Sequence, residues 1–265
     1  MNQLCKLSQV LRKKTIAQNF ANAFDYDRHA TIQRKICQLL IEQIADSKHS
    51  RLLEIGAGTG QLTKLLADKI CANTIICQDV LINELAAGQF ETLQTILPNA
   101  QVIIGDAESL EFGQDFSLII SANAIQWFDE PLNFIDSSYS RLISNGQLLF
   151  NTFSPQHFLQ IKTLTGQGLT YPSKNDWQER LTQIGFSQIQ ITTKRFELSF
   201  PEPMAVLKHM KLTGVSTNNA HNAFVWNKSR LNEFQTNYQQ QFFNPNKPTE
   251  VILTYEALII SAIKP

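Results

Sequence analysis

Hydrophobic positions along the chain follow two alternating periods. Over residues 8–24, Val10, Leu11, Ile16, Phe20 and Phe24 recur at helical spacing, and Ile32, Ile36, Leu39, Leu40 and Ile44 do so again over 30–46. This spacing predicts two helices, the second amphipathic. A polar turn, Asp46 to Ser50, ends the pattern. Short apolar runs then predict strands at 51–55, 74–78, 101–104, 117–122 and 147–152, separated by helical patterns over 60–70, 81–95 and 131–143. Strands and helices alternating at these lengths predict a parallel sheet covered on both faces. Further on, the spacing predicts a helix near 174–184, a period-two strand at 187–197, helices around 203–212 and 227–241, and a closing apolar strand at 251–263. The expected fold class is α/β, with a seven-stranded, mostly parallel sheet. One domain over 1–265 divides into an N-terminal helical cover (1–46), a core (47–200), a helical lid inserted between the last two strands (201–249) and the final strand (250–265).

Composition narrows the function. With 265 residues and 43% hydrophobic content, the chain can bury one large core. Its 23 basic side chains balance 23 acidic ones, so no bulk field favours nucleic acid or a membrane surface. The distribution is uneven. Residues 1–37 carry seven Lys and Arg against two Asp, and residues 203–230 carry Lys208, Lys211, Lys228 and Arg230 with no acid. No apolar run approaches the roughly 18 residues of a membrane span. The opening MNQLCKLSQVLRKK lacks the apolar centre of a secretory signal, so a cytoplasmic location is expected. Cys5, Cys37, Cys71 and Cys77 show no C-x-x-C spacing and no histidine at ligand distance. Reduced, scattered thiols and no metal site are expected.

The chemistry centres on RLLEIGAGTGQLTKLL, Arg51 to Leu66. A short buried strand runs into Gly56, Gly58 and Gly60, and a helical pattern starts at Leu62. Strand, glycine turn and helix let a nucleotide-like ligand lie against backbone N–H groups. The spacing is G-x-G-x-G, and Glu54 stands two residues before the first glycine. A carboxylate there repels a phosphate and suits a cationic ligand group. The spacing disfavours a dinucleotide-binding dehydrogenase.

In open α/β sheets ligands sit off the carboxyl ends of the strands. The predicted ends place Asp79 after the second strand, where a carboxylate can accept both hydroxyls of a ribose. Asp106 and Ala107 follow the third, where an acid can accept an adenine amine and a backbone N–H can reach a ring nitrogen. Asn123 to Trp127 follow the fourth.

These motifs together resemble the class I S-adenosylmethionine-dependent methyltransferases, Rossmann-like enzymes whose E/D-x-G-x-G-x-G loop holds the amino-acid end of the cofactor. FANAFDYDRHATIQRKICQLL, SANAIQWFDEP, SFPEPMAVLKHMKLTGVSTN and LTYEALIISA further resemble the malonyl-acyl-carrier-protein O-methyltransferases of biotin synthesis over nearly the whole chain. Val80 after Asp79 and the Asn-rich 215–226 depart from that pattern. The resemblance implies methyl transfer to the free carboxylate of a malonyl thioester on acyl carrier protein, giving the methyl ester and S-adenosylhomocysteine. It implies cofactor contacts from Glu54, Gly56, Gly58, Gly60, Asp79, Asp106, Ala107 and Asn123.

A carboxylate is ionised at neutral pH, so the reaction needs alignment and exclusion of water rather than a general base. Aromatic faces favour a sulfonium, which makes Phe20, Phe24, Tyr26 and Trp127 candidate walls. His29 is a candidate hydrogen-bond donor to substrate or cofactor. Lys208, His209 and Lys211, with Arg28 in reserve, are candidates for receiving the substrate carboxylate, and Lys211 heads that group. The two basic segments also suit an acidic carrier protein. Two alternatives stay open: a carboxyl methyltransferase for a small dicarboxylate of the aconitate kind, and an assembly factor of the same fold acting on a protein partner.

Overall fold

The computed structural model describes residues 12–18, 26–72, 74–85, 87–213 and 226–265. Its central sheet has the order β3-β2-β1-β4-β5-β8-β6, with the two-residue β7 paired to β8. The strands are β1 (Lys48–Ile55), β2 (Ile76–Glu84), β3 (Gln101–Ile104), β4 (Phe116–Ser121), β5 (Leu142–Phe153), β6 (Ser187–Phe200), β7 (Phe243–Asn244) and β8 (Lys247–Ile263). β1 to β5 run parallel, and β8 runs antiparallel to both β5 and β6. The seven strands expected form the continuous path. The eighth is a short hairpin arm folded against the start of β8.

The apolar runs are continuous because both faces of the sheet are covered. Successive residues point to opposite sides. Leu52, Leu118, Ile120 and Leu149 join a core under α2 (Thr31–Ile41) and α3 (Gln61–Cys71). Leu53, Ile119, Leu148 and Phe150 join another under α5 (Asn133–Arg141) and α7 (Lys174–Ile184). Trp177 of α7 is fully buried against Phe150, and Ser173 with Asp176 closes a reciprocal capping box at the start of that helix.

Two expectations need correction. The second strand does not stop near residue 78. It continues to Glu84, with Leu81 and Ile82 paired to Leu53 and Glu54 of β1. The helix expected over 81–95 shrinks to α4 (Phe90–Ile96) after a short 3₁₀ turn. The sequence reading also missed α6 (Leu159–Thr165). The segment between β6 and β8 carries α8 (Pro203–Leu212) and α9 (Lys228–Gln241), and residues 12–18 are helical as expected. Among the described residues no helix is long and apolar enough to cross a membrane.

Candidate active site

The glycine turn sits where the carboxyl ends of β1, β2 and β4 meet. Gly56 has φ +69°, and a Cβ on it would lie 2.3 Å from the Cβ of Ala124, so the turn passes tightly under the β4 loop. Gly58 has φ +55°, and no atom of the described residues lies within 4 Å of its missing side chain. Its empty side faces the cleft. Gly60 caps α3 with φ +80° and packs on Leu93 and Ile96, so this glycine serves packing and does not line the cleft.

The turn is cross-braced. Ala57 N–H donates to the Asn83 carbonyl at 2.9 Å, and Gly58 N–H donates to Glu84 Oε2 at 2.6 Å. Asn83 Nδ2 ties the end of β2 to the carbonyls of Ile103 and Gly105. From the other side Asp27, in α1 (Tyr26–His29), accepts hydrogen bonds from Thr59 Oγ1 at 2.7 Å and Gln61 Nε2 at 2.8 Å.

The cleft holds about 910 Å³ of space, in part open to solvent, and is lined by Tyr26, Glu54, Gly56 to Thr59, Glu84, Asp106, Ala107, Asn123 and Trp127, among others. That size suits a nucleoside-sized ligand. Glu54 is 1% exposed. Its Oε2 accepts from Thr63 Oγ1 at 2.9 Å, while Oε1 has no partner among the described residues. Burial pushes its carboxyl up to about 8, the Thr63 hydrogen bond opposes the rise, and the nearby Glu84 charge adds to it.

Asp79 is not at the cleft. It stands opposite Arg51, five residues before the end of β2, in an exposed ion pair with that side chain at 2.9 Å. The acid at the true strand end is Glu84, which the sequence reading missed because it placed the boundary too early. Asp106 lines the cleft as expected, but its carboxylate is already engaged by Lys13 and by the Glu108 N–H. Burial lowers the Lys13 ammonium, and the carboxylates of Asp106 and Glu108 overcome this and hold it above its ordinary value. Asn123, at φ +55°, donates its N–H to Asn151 Oδ1 at 2.8 Å and its Nδ2 to the Gln33 carbonyl, so it locks α2 to the sheet beside the cleft.

A second, smaller chamber shares Tyr26, Asn123 and Trp127 with the cleft. Gln33, Gln126, His157, Tyr171, Thr213 and Tyr255 complete much of its wall. No Lys, Arg, Asp or Glu lines it among the described residues. His157 is stacked between Phe153 and Phe158, each ring centre 3.9 Å away, and burial holds it well below its usual value. Of the insertion residues, His209 points inward to the Tyr255 hydroxyl at 2.7 Å, and burial lowers it to about 4, with the His29 charge adding to the effect. Lys208 and Lys211, expected to receive the substrate carboxylate, are exposed and line neither the cleft nor the chamber. Arg28 is exposed as well, and His29 lines neither cavity. Phe20 and Phe24 lie outside the described residues.

Comparison with known proteins decides the family. Residues 26–191 match the family described as a methyltransferase domain. The malonyl-[acyl-carrier protein] O-methyltransferase of Haemophilus ducreyi is 36% identical over 96% of this chain and 98% of its own length. That of Haemophilus influenzae is 35% identical over 94% of each chain. The chain belongs to the malonyl-[acyl-carrier protein] O-methyltransferase family. Among solved structures, a methyltransferase of Bacillus halodurans superposes with a TM-score of 0.61 at 17% identity, over 87% of this chain and 99% of that one. The N-methyltransferase NodS of Bradyrhizobium japonicum gives 0.55 at 12% identity, over 96% and 98%. At such identities these two speak for the Rossmann-like fold of this methyltransferase.

Proposed function

We propose that this methyltransferase takes its methyl group from S-adenosylmethionine bound in the cleft and delivers it to the free carboxylate of a malonyl thioester carried on acyl carrier protein. The observation that carries the cofactor assignment is the oxygen of the buried Glu54 that has no partner among the described residues, in a cleft that Gly58 also lines. A lone buried carboxylate is costly and calls for a cation. The α-ammonium of the cofactor fits, and Gly58 leaves room for its backbone-hugging approach. Glu84, which ends β2 and lines the cleft where Asp79 does not, would accept the ribose hydroxyls. Asp106 and Ala107 stand where the adenine edge would lie.

When bound, the cofactor supplies an electrophilic methyl on a positive sulfur. The protein's own work is alignment and desolvation. Tyr26, Asn123 and Trp127 form the partition between cleft and chamber, so an acyl group in the chamber meets the methyl there. The substrate carboxylate arrives ionised and needs no base. Charge is consumed in the step, so a cationic clamp on the reacting oxygens would slow it. A chamber whose described wall carries no formal charge, and whose histidine is kept neutral by burial, suits this chemistry.

Lys208, Lys211, Lys228 and Arg230 are all exposed on α8 and the first turn of α9. They offer an acidic carrier protein a docking face. Incubation with methyl-labelled cofactor and malonyl-loaded carrier protein should yield a base-labile ester on the carrier. Label transferred to aconitate or another free dicarboxylate instead, with none on the carrier, would overturn the assignment.

A further inference from the structure

A groove of about 570 Å³, open in part to solvent, lies next to the second chamber, and Gln126, Leu169 and Tyr171 line both. Thr152, Pro172 and Arg12 line the groove too, and Arg12 is paired with Asp129, another of its lining residues. Two polar atoms in these linings are buried with no partner among the described residues: Gln126 Oε1 and Thr152 Oγ1. Thr152 is 1% exposed. An orphaned buried polar atom costs about 1–3 kcal/mol, so such atoms in a cavity wall call for a ligand group.

Their chemistry narrows that group. Gln126 Nε2 donates to the Asn123 carbonyl at 2.7 Å, which fixes the amide and leaves the oxygen as the atom without a partner. That atom only accepts. It repels a carboxylate and matches an N–H donor. Oε1 of Gln33, a residue of the same chamber that is 5% exposed, is a further acceptor with no partner among the described residues. A small dicarboxylate carries acceptors alone at neutral pH and would leave these atoms unmet. A pantetheine thioester carries two secondary amides at fixed spacing behind its sulfur.

We infer that chamber and groove form one channel for the amide-bearing arm of a pantetheine thioester, in which Gln126 and Thr152 meet the arm's amide groups while the acyl end reaches the Tyr26–Trp127 partition. This rests on the thioester reading above and assigns the subsite that such a substrate would occupy.

Thr152→Val tests it, because the change keeps shape and deletes a hydroxyl that has no partner among the described residues. The measured quantity is the ratio of kcat/KM for malonyl-pantetheine to kcat/KM for malonyl methyl thioester, which has no amide. The ratio should fall about 3- to 10-fold in Thr152→Val, through KM, and recover in Thr152→Ser. Pantetheine itself, titrated calorimetrically into protein loaded with S-adenosylhomocysteine, should bind more weakly to Thr152→Val by the same factor. Thermal denaturation should show the variant no less stable than the parent protein. An unchanged ratio, or pantetheine bound equally by both proteins, overturns the channel. If the parent protein methylates both thioesters with equal efficiency, the channel fails and the thioester reading stands. If it methylates neither, that reading fails first.

Discussion

Replacing Glu54 by Gln isolates the buried acid on which the cofactor site turns. Without a cation its carboxyl titrates near 8, because it is desolvated. Below pH 7 it is therefore mostly protonated, while the α-ammonium of the cofactor, with an ordinary value near 8, is charged. Forming the ion pair must expel one proton. At pH 6.5 roughly 0.9 proton should be released per cofactor bound, and affinity should rise about 10-fold per pH unit between 5.5 and 6.5. Titration calorimetry in buffers of different ionisation enthalpy reads the proton count directly. Glu54→Gln should release none, and its affinity should stay flat over that window.

The same group sets the stability of the unliganded protein, with opposite sign. A carboxyl raised from 4.5 to about 8 binds more protons in the folded than in the unfolded chain between those values. Stability therefore falls as pH rises through that window, by at most about 4–5 kcal/mol for this group. Glu54→Gln should remove the fall and be the more stable protein at pH 8, with a higher midpoint in thermal denaturation. Cofactor should reverse the order, because it binds the parent charge. Buffer-independent heats at pH 6.5, or the same pH dependence in Glu54→Gln, would refute the coupling of this carboxyl to the cofactor's ammonium.

Other substitutions separate packing from binding. Gly56→Ala drives a Cβ into Ala124 at a positive φ and should cost about 2–4 kcal/mol of stability in chemical denaturation. Gly58→Ala meets no atom of the described residues, so it should cost only about 1–2 kcal/mol from its φ while weakening cofactor binding far more, as calorimetry would show. Glu84→Gln should weaken cofactor binding about 10-fold through lost charge-assisted hydrogen bonds. Asp79→Asn breaks only an exposed pair with Arg51 and should leave binding intact, with a stability change below about 1 kcal/mol. Raising salt should increase KM for the carrier-bound substrate and leave a pantetheine mimic nearly unaffected, and Lys208→Glu with Lys211→Glu should mimic that effect at low salt.

What the sequence disclosed and what it hid divide along one physical line. Strand, turn and helix from Arg51 to Leu66 are local signals, so the glycine turn and Glu54 were legible from spacing alone. So was α7, with its Ser173 cap and Gly185 at its end. The end of β2 was not, because Leu81, Ile82 and Leu85 fit the opening of a helix as well as a strand. Register decides it. A neighbour of β1 must run as far as the turn to bring an acid to the ligand, and Asp79, level with Arg51, stops three residues short of Glu54. At about 3.3 Å per residue that is roughly 10 Å too far back. A clue was present: Arg51 and Asp79 are opposite charges at matching positions of adjacent strands, which marks a surface pair rather than a ligand.

The chamber and groove left no such trace. Gln33 comes from α2, Gln126 from the turn after β4, Thr152 from β5 and Tyr255 from β8. Each is unremarkable in its own stretch of sequence. What distinguishes Gln33, Gln126 and Thr152 is a lack, a polar atom that the fold buries and does not satisfy, and that property exists only after the strands are in register. Glu54 obeys the same rule from the other direction. Its motif was visible, but its raised titration and its orphaned oxygen belong to the folded cleft. A folded chain that tolerates several unmet buried polar atoms around one connected space gives up stability there, and a ligand matching them recovers it on binding. Saturating cofactor together with pantetheine should therefore stabilise the protein by more than the cofactor alone, whereas a dicarboxylate of equal concentration should add nothing.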